Sequence, residues 1–369
     1  MAGSSTSELL RPPEAQPGAP LVVSRDERLL DDLLRLCAAA GVQPAVAEGT
    51  TAREPGWERP PLVLVGDDAA AGLVGTAPRR PAVVLVGRDP DDAGIWRRAV
   101  AIGAEHVALL PDAETWLVDR IADATEGSGG QAVTVGVVGG RGGAGASTLA
   151  CALAVTAARS GRRTVLVDGD PLGGGLDVLL GGESAEGLRW PAFARSSGRV
   201  AGGALEESLP ALHSLRLLSW DRGEAVVVRP EAARSVLAAA RRRDGVVVVD
   251  LPRRMDGAAA EALAQLDMGL LVVPAELRAV AAAQRISSAL RMVLRDLRVV
   301  VRGSPTSGLR GEEIARLLGL PLVGELPSES GLARLVERGA VPGSHGDGPL
   351  ARFCGLFWDR ALADVGGRG

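Results

Sequence analysis

Short apolar runs alternate with stretches whose apolar positions recur every three or four residues, and the alternation persists along most of the chain. A run at residues 21–23 precedes a helix-period stretch over 28–40. Runs at 62–65 and 82–86, a helical 95–102 and a run at 106–110 follow. Strands alternating with helices predict a small open parallel sheet. Beyond residue 132 the rhythm resumes on a larger scale, with strands expected at 133–138, 164–167, 215–218, 246–249, 268–273, 297–301 and 322–326. Helical stretches at 148–159, 230–242, 258–265, 277–294 and 310–318 fill the gaps. Strands so uniformly rich in Val and Leu suit a sheet covered on both faces. Two breaks in composition divide the chain. Residues 1–19 are rich in Ser, Pro, Gly and Ala, which predicts a disordered tail. Residues 126–131, EGSGGQ, have the composition of a flexible linker. The expected layout is a tail (1–19), a first α/β domain (20–125), a linker (126–132) and a second α/β domain (133–365).

Composition narrows the function. With 45 acidic and 41 basic residues the formal net charge is −4, which disfavours a dedicated nucleic-acid binder. Six Trp, three Phe and no Tyr are too few for a base-stacking platform. The chain has no Lys and no Asn, so every fixed positive side chain is an arginine. Cys37, Cys151 and Cys354 are scattered, without a CxxC pair or a nearby His, which argues against a disulfide framework or a zinc site. His106, His213 and His345 are isolated, and no Ser–His–Asp set can be assembled. No leader opens the chain and no apolar run approaches ~18 residues, so a soluble cytoplasmic protein is expected.

The sharpest chemical signal follows the first strand of the second domain, where residues 139–148 read GGRGGAGAST. A strand feeding a glycine-rich turn and then a helix gathers several backbone N–H groups. Together with the helix dipole they suit a nucleotide's phosphates. Gly140, Gly142, Gly143 and Gly145 permit the close approach that a Cβ would block, and Arg141, Ala144, Ala146 and Thr148 complete the binding loop. Ser147 stands where a hydroxyl can coordinate a magnesium ion bridging the phosphates. Two apolar strands then end in carboxylates, one at Asp168 and Asp170, the other at Asp250. Carboxylates at strand tips beside a phosphate loop hold magnesium or orient an attacking water. The competing reading of each is a cap on the next turn; the order of the three segments favours the nucleotide site.

Together these segments resemble the ParA/MinD family of deviant Walker ATPases. The family's loop reads K-G-G-x-G-K-[ST]-T, followed by a D-x-D-P-like switch I and an apolar strand ending in D-x-P for switch II. The resemblance covers most of residues 133–364. It implies a P-loop NTPase fold with a mostly parallel sheet, ATP with Mg as ligands, and a homodimer closed around nucleotide. It places Arg141 at the signature lysine that reaches a partner's phosphates. It also places Ser147, Asp168 and Asp250 at the magnesium, and Asp170 and Asp250 at the catalytic carboxylates. With its first domain the chain is most similar to the CpaE/TadZ branch, which includes actinobacterial septum-site-determining proteins. That similarity implies protein partners in a pilus, secretion or division apparatus, and recruitment to a pole, septum or inner membrane.

The departures carry information. Arg141 keeps a charge at the signature position, on a bulkier planar fork. Ala146 replaces the second lysine, which grips the β- and γ-phosphates, and a charge-assisted contact of that kind is worth ~1.5–3 kcal/mol. Arg302-Gly303 stands where the family often has an adenine-side Asn. The expectation is nucleotide binding with weak or absent hydrolysis; the alternative is an active ATPase whose nucleotide-dependent dimerisation drives localisation.

In the first domain, AIGAEHVALLP at residues 101–111 resembles the end of response-regulator receiver domains, which have a flavodoxin-like fold. The receiver's lysine falls on Leu110 and its proline on Pro111; Gly66 falls on the phosphoacceptor, with Asp67 and Asp68 just after, and the acidic pocket is reduced to Asp26. Phosphoryl transfer needs nucleophile, metal carboxylates and cation as a set, so a pseudo-receiver used for docking is expected. The arginine runs at 241–243 and 253–254 read as helix-end cations rather than a DNA-binding face. A stripe of Leu350, Phe353, Phe357, Ala361 and Val365 predicts a final helix packed on the core rather than on a membrane, because Arg352 and Arg360 are balanced by Asp359 and Asp364.

Overall fold

The computed structural model describes residues 18–47, 57–126, 131–196, 200, 202–223, 225–303, 309–326, 331–346 and 348–366. Most of the expected tail and linker, and the side chain of Val365, lie outside the described residues. The chain falls into two compact units that divide near residue 128.

The first unit runs β1 (Leu21–Val23), α1 (Glu27–Ala39), β2 (Ala45–Ala47), β3 (Val63–Gly66), α2 (Asp67–Leu73), β4 (Val83–Gly87), α3 (Ile95–Ile102), β5 (His106–Leu109) and α4 (Glu114–Glu126). Its strands are all parallel, in the order β2-β1-β3-β4-β5. Leu29, Leu33, Leu117 and Ile121 of α1 and α4 bury against one face. Leu73, Ile95 and Ile102 of α2 and α3 bury against the other. The periodicity passes over β2 and α2 because β2 has only three residues and α2 buries mainly alanines, Ala69 and Ala70, beside Leu73. It also passes over α4, whose deepest large side chains are only Leu117 and Ile121.

The second unit begins β6 (Val133–Gly139), α5 (Ala146–Arg159), β7 (Thr164–Asp168), α6 (Leu176–Leu179), α7 (Trp190–Phe193), α8 (Gly202–Ser208), β8 (Ala211–Leu212) and β9 (Leu215–Leu218). It continues α9 (Pro230–Arg241), β10 (Val246–Leu251), α10 (Gly257–Ala264), β11 (Met268–Pro274), α11 (Leu277–Leu290) and β12 (Leu297–Arg302). It ends α12 (Gly311–Leu318), β13 (Leu322–Leu326), α13 (Leu332–Glu337) and α14 (Pro349–Gly366). The eight strands lie in the order β13-β12-β11-β6-β10-β7-β9-β8, parallel except for the β8–β9 hairpin. One face of the sheet packs Val135 and Val137 against α5 and α14; the other packs Val247, Val249 and Leu271 against α9 to α12. Helix α11 stops at Leu290, four residues short of the periodicity, because Leu294 packs into the same core from the turn beyond it.

The final helix corrects the expected stripe. Leu350, Phe357 and Ala361 are buried as expected, but Cys354 and Trp358 are buried with them and Phe353 is only half-buried. The Trp358 indole donates to the Leu153 carbonyl of α5 at 2.9 Å. The apolar face of α14 is thus consumed by α5. Among the described residues no helix is long and apolar enough to cross a membrane.

Candidate functional site

Strand β6 lies between β10 and β11, so its C-terminal end opens at the middle of the sheet. The chain then turns through Gly143 (φ +71°) and Gly145 (φ +94°), both in the left-handed region that favours glycine. Gly145 is the N-cap of α5, which begins at Ala146, two residues before the periodicity suggested. Ala146 and Ser147 therefore sit in the first helical turn, and at the position of the family's second lysine the helix presents only a methyl group.

The loop borders an open cavity of about 470 Å³, lined also by Asp170, Asp250, Arg253 and Arg302. Arg141, Gly142, Gly143, Ala144, Gly145, Ala146, Ser147 and Thr148 all reach it. Gly140 lies behind: its N–H donates to the Val272 carbonyl at 2.8 Å, and an added Cβ would sit 3.0 Å from Ala283. Its glycine serves packing rather than phosphate approach. Arg141 donates to Glu276 at 2.8 Å and to the Gly142 carbonyl at 3.3 Å.

Strands β7 and β10 each run further than their apolar runs, and the carboxylates lie inside them. Asp168 and Asp250 are direct register partners on these adjacent parallel strands, so both side chains leave the same face of the sheet. Asp168 accepts from the backbone N–H of Asp170 at 3.2 Å and Leu176 at 3.0 Å. The Ser147 hydroxyl lies close enough to Asp250 to favour its charged form. Neither carboxylate makes an ion pair among the described residues. Burial pushes Asp168 up to about 7, against the lowering pull of its two backbone donors. Burial likewise pushes Asp250 up to about 7; Ser147 lowers it and the neighbouring Asp168 and Asp170 raise it. Asp170, half-buried at the cavity wall, accepts from the Leu172 N–H at 3.0 Å and shapes its own turn.

Among the described residues no cluster of three or more His, Cys, Asp and Glu forms a metal site unaided. Two adjacent buried carboxylates without a cation, one of them beside the Ser147 hydroxyl, nonetheless fit a divalent ion whose remaining ligands would be phosphate oxygens and water. Ser147 and Asp250 line the cavity and are the residues that would hold it, and the ion would neutralise charge on the phosphates; Asp168, also expected at the metal, is buried outside the cavity lining with both oxygens accepting backbone N–H groups.

A titration follows. A carboxyl whose folded value lies above its unfolded one contributes stability at low pH that is lost as pH rises through the folded value. For Asp250 that window runs from 3.8 to about 7. Asp250→Asn should therefore melt higher than wild type at pH 8 in EDTA, with the gap closing toward pH 4. A gap independent of pH would refute the buried-carboxylate account.

Two features escaped the sequence reading. The Asp168 carbonyl accepts from both the Trp190 indole at 2.6 Å and the Trp220 indole at 3.1 Å. Asp177, fully buried on α6, pairs with Arg222 and, at 3.5 Å, with Arg189, anchoring the far end of the segment after Asp170. Six Trp among nine aromatic residues is the signal that could have drawn attention to the first; the second has none. The arginine run at 241–243 presents no free basic face: Arg241 pairs with Asp267 at 3.5 Å, Arg243 with Glu206 at 3.4 Å, and buried Arg242 donates to the Val200 carbonyl at 2.8 Å.

Among the described residues of the first unit, the positions that fall on a receiver's acidic centre are engaged elsewhere. Asp68 folds over Gly66, accepting from the Ser24 hydroxyl at 2.9 Å and the Arg25 N–H at 2.7 Å; a Cβ on Gly66 would lie 2.3 Å from its carboxylate. Asp26 caps α1 by accepting from Arg28 and Leu29, and Leu110 is buried in the core. Acetyl phosphate with magnesium should leave this unit unmodified by intact-mass spectrometry; a stable aspartyl phosphate on Asp67 or Asp68 would contradict that geometry.

Residues 23–132 match the family model of the Rv3660c-like, CheY-like N-terminal domain, and residues 135–342 match that of the CobQ/CobB/MinD/ParA nucleotide binding domain. The chain is 39% identical over 327 residues to the uncharacterized protein Rv3660c of Mycobacterium tuberculosis, covering 86% of this chain and 90% of that protein. Its fold is similar to that of the ParA family ATPase from Chlorobium tepidum (TM-score 0.54, 19% identity, 62% of this chain and 98% of that one). It is also similar to a chain of the MinC:MinD cell division protein complex of Aquifex aeolicus (TM-score 0.52, 22% identity, 63% and 96%). A receiver-like sheet without its acidic centre, followed by a phosphate loop with paired strand carboxylates, agrees with both matches: the chain belongs to the family that joins an Rv3660c-type, CheY-like amino-terminal domain to a CobQ/CobB/MinD/ParA nucleotide binding domain.

Proposed function

We propose that this chain is a spatial organiser of septum placement, or of Tad-type pilus or secretion assembly, in the manner of the CpaE/TadZ branch. Its second domain binds Mg·ATP weakly and hydrolyses it slowly or not at all. The observation that carries this reading is the combination at one cavity of a glycine-rich loop, Ser147 with Asp250, and a bare methyl at Ala146, with Asp168 buried beside Asp250 on the next strand. The cradle and the carboxylates bind and orient; the charge that would stabilise the transition state from position 146 is missing. Asp170 and Asp250 are the carboxylates placed to act on an attacking water. MinD of Aquifex aeolicus assembles with MinC, and a protein partner of a division or export apparatus is the corresponding role here, with the pseudo-receiver as a docking module.

Nucleotide-dependent pairing of two copies uses Arg141, which must exchange Glu276 for a partner's phosphates. Sedimentation with Mg·ATP should give a dimer for wild type and a folded monomer for Arg141→Ala. Identical masses under every condition would remove the nucleotide-linked dimer from the proposal. Turnover is read alongside: a wild-type rate near background fits the organiser, whereas a rate typical of working ATPases would replace it with the active-ATPase reading.

A further inference from the structure

We infer that Arg302, at the tip of β12, supplies in this chain the phosphate-binding charge that position 146 has lost; the inference rests on the nucleotide reading above. Arg302 is 159 residues from Gly143 in sequence, yet its Nη1 donates to the Gly143 carbonyl at 3.2 Å and to the Ala144 carbonyl at 3.0 Å. Those two bonds fix the guanidinium against the loop. An added Cβ on Gly145 would lie 3.0 Å from the same Nη1, so the charge stands directly beside the first turn of α5.

A guanidinium is a five-donor fork with no acceptor. With Nη1 committed to the loop carbonyls, the Nε and Nη2 hydrogens are left for another acceptor. Arg302 has no carboxylate partner among the described residues, and its side chain lines the cavity and is exposed to it. Arg141, in contrast, is already engaged with Glu276. An uncompensated cation braced on the outside of an anion cradle has one matching ligand chemistry, a phosphate group held by the loop's N–H donors. Bracing lowers the entropy lost on binding relative to a long free side chain. The lost lysine is thereby replaced by an arginine that enters from a different strand.

The test separates charge from bracing. Arg302→Gln keeps an amide N–H able to donate to the loop carbonyls and removes the charge. Binding of Mg·ATP and of inorganic tripolyphosphate is measured by calorimetry on the full chain, with thermal melts confirming that the variants fold. Arg302→Gln should weaken both ligands about 10-fold or more and flatten the salt dependence of binding. Ala146→Lys placed in the same variant should restore most of the loss. Wild-type affinity in Arg302→Gln, or a loss confined to ATP with tripolyphosphate unchanged, would overturn the assignment of Arg302 to phosphate while leaving the nucleotide site standing. If wild type binds neither ligand, the nucleotide reading itself fails and this inference goes with it.

Discussion

Ala146→Lys alone should tighten binding of Mg·ATP about 10- to 100-fold, the return of one charge-assisted contact worth ~1.5–3 kcal/mol. Position 146 is the first helical residue of α5, with the cavity immediately in front of it. A lysine there needs no change of backbone, because Gly145 already carries the left-handed turn. Hydrolysis should rise as well, since a positive charge near the transferring phosphoryl group acts on the transition state more than on the ground state. Affinity is measured by calorimetry and turnover by phosphate release. An unchanged affinity would mean that the loop's N–H groups do not face a phosphate.

Trp358→Ala should lower the unfolding free energy of the second unit by about 3–5 kcal/mol, the usual cost of removing a buried large aromatic. The indole is buried, donates to Leu153 and meets the Phe357 ring edge-on at a centroid distance of 5.1 Å. Its loss leaves a cavity between α14 and α5. Leu356→Ala on the same helix is the control: Leu356 is 58% exposed and should change stability by no more than about 0.5 kcal/mol. Urea unfolding followed by circular dichroism distinguishes the two. Equal, small effects would mean that α14 is not part of the cooperative core.

Much of this was legible in the sequence, and for identifiable reasons. Strands buried on both faces are rich in Val and Leu without a polar alternation, so β6, β10 and β11 stand out without any alignment. The loop was legible because glycine is needed where φ is positive, and Gly143 and Gly145 are such positions. Less legible was everything that depends on register. Asp168 and Asp250 could be seen as strand-end acids, but their side-by-side placement follows from β7 pairing with β10, and their burial there is what lifts both above ordinary carboxylates. Arg302 could be seen to replace an expected Asn, but its reach back to Gly143 and Ala144 comes from the order of strands in the sheet. Small-residue helices such as α2 left no periodic trace because alanine buries little area.

The phosphate cradle is made of main chain. Its shape comes from two glycines in left-handed conformation, the end of one strand and the start of one helix, and none of these depends on which side chain occupies position 146. Form and chemistry are therefore separately heritable here. A substitution at position 146 can change what the loop does to a ligand while the loop keeps its shape.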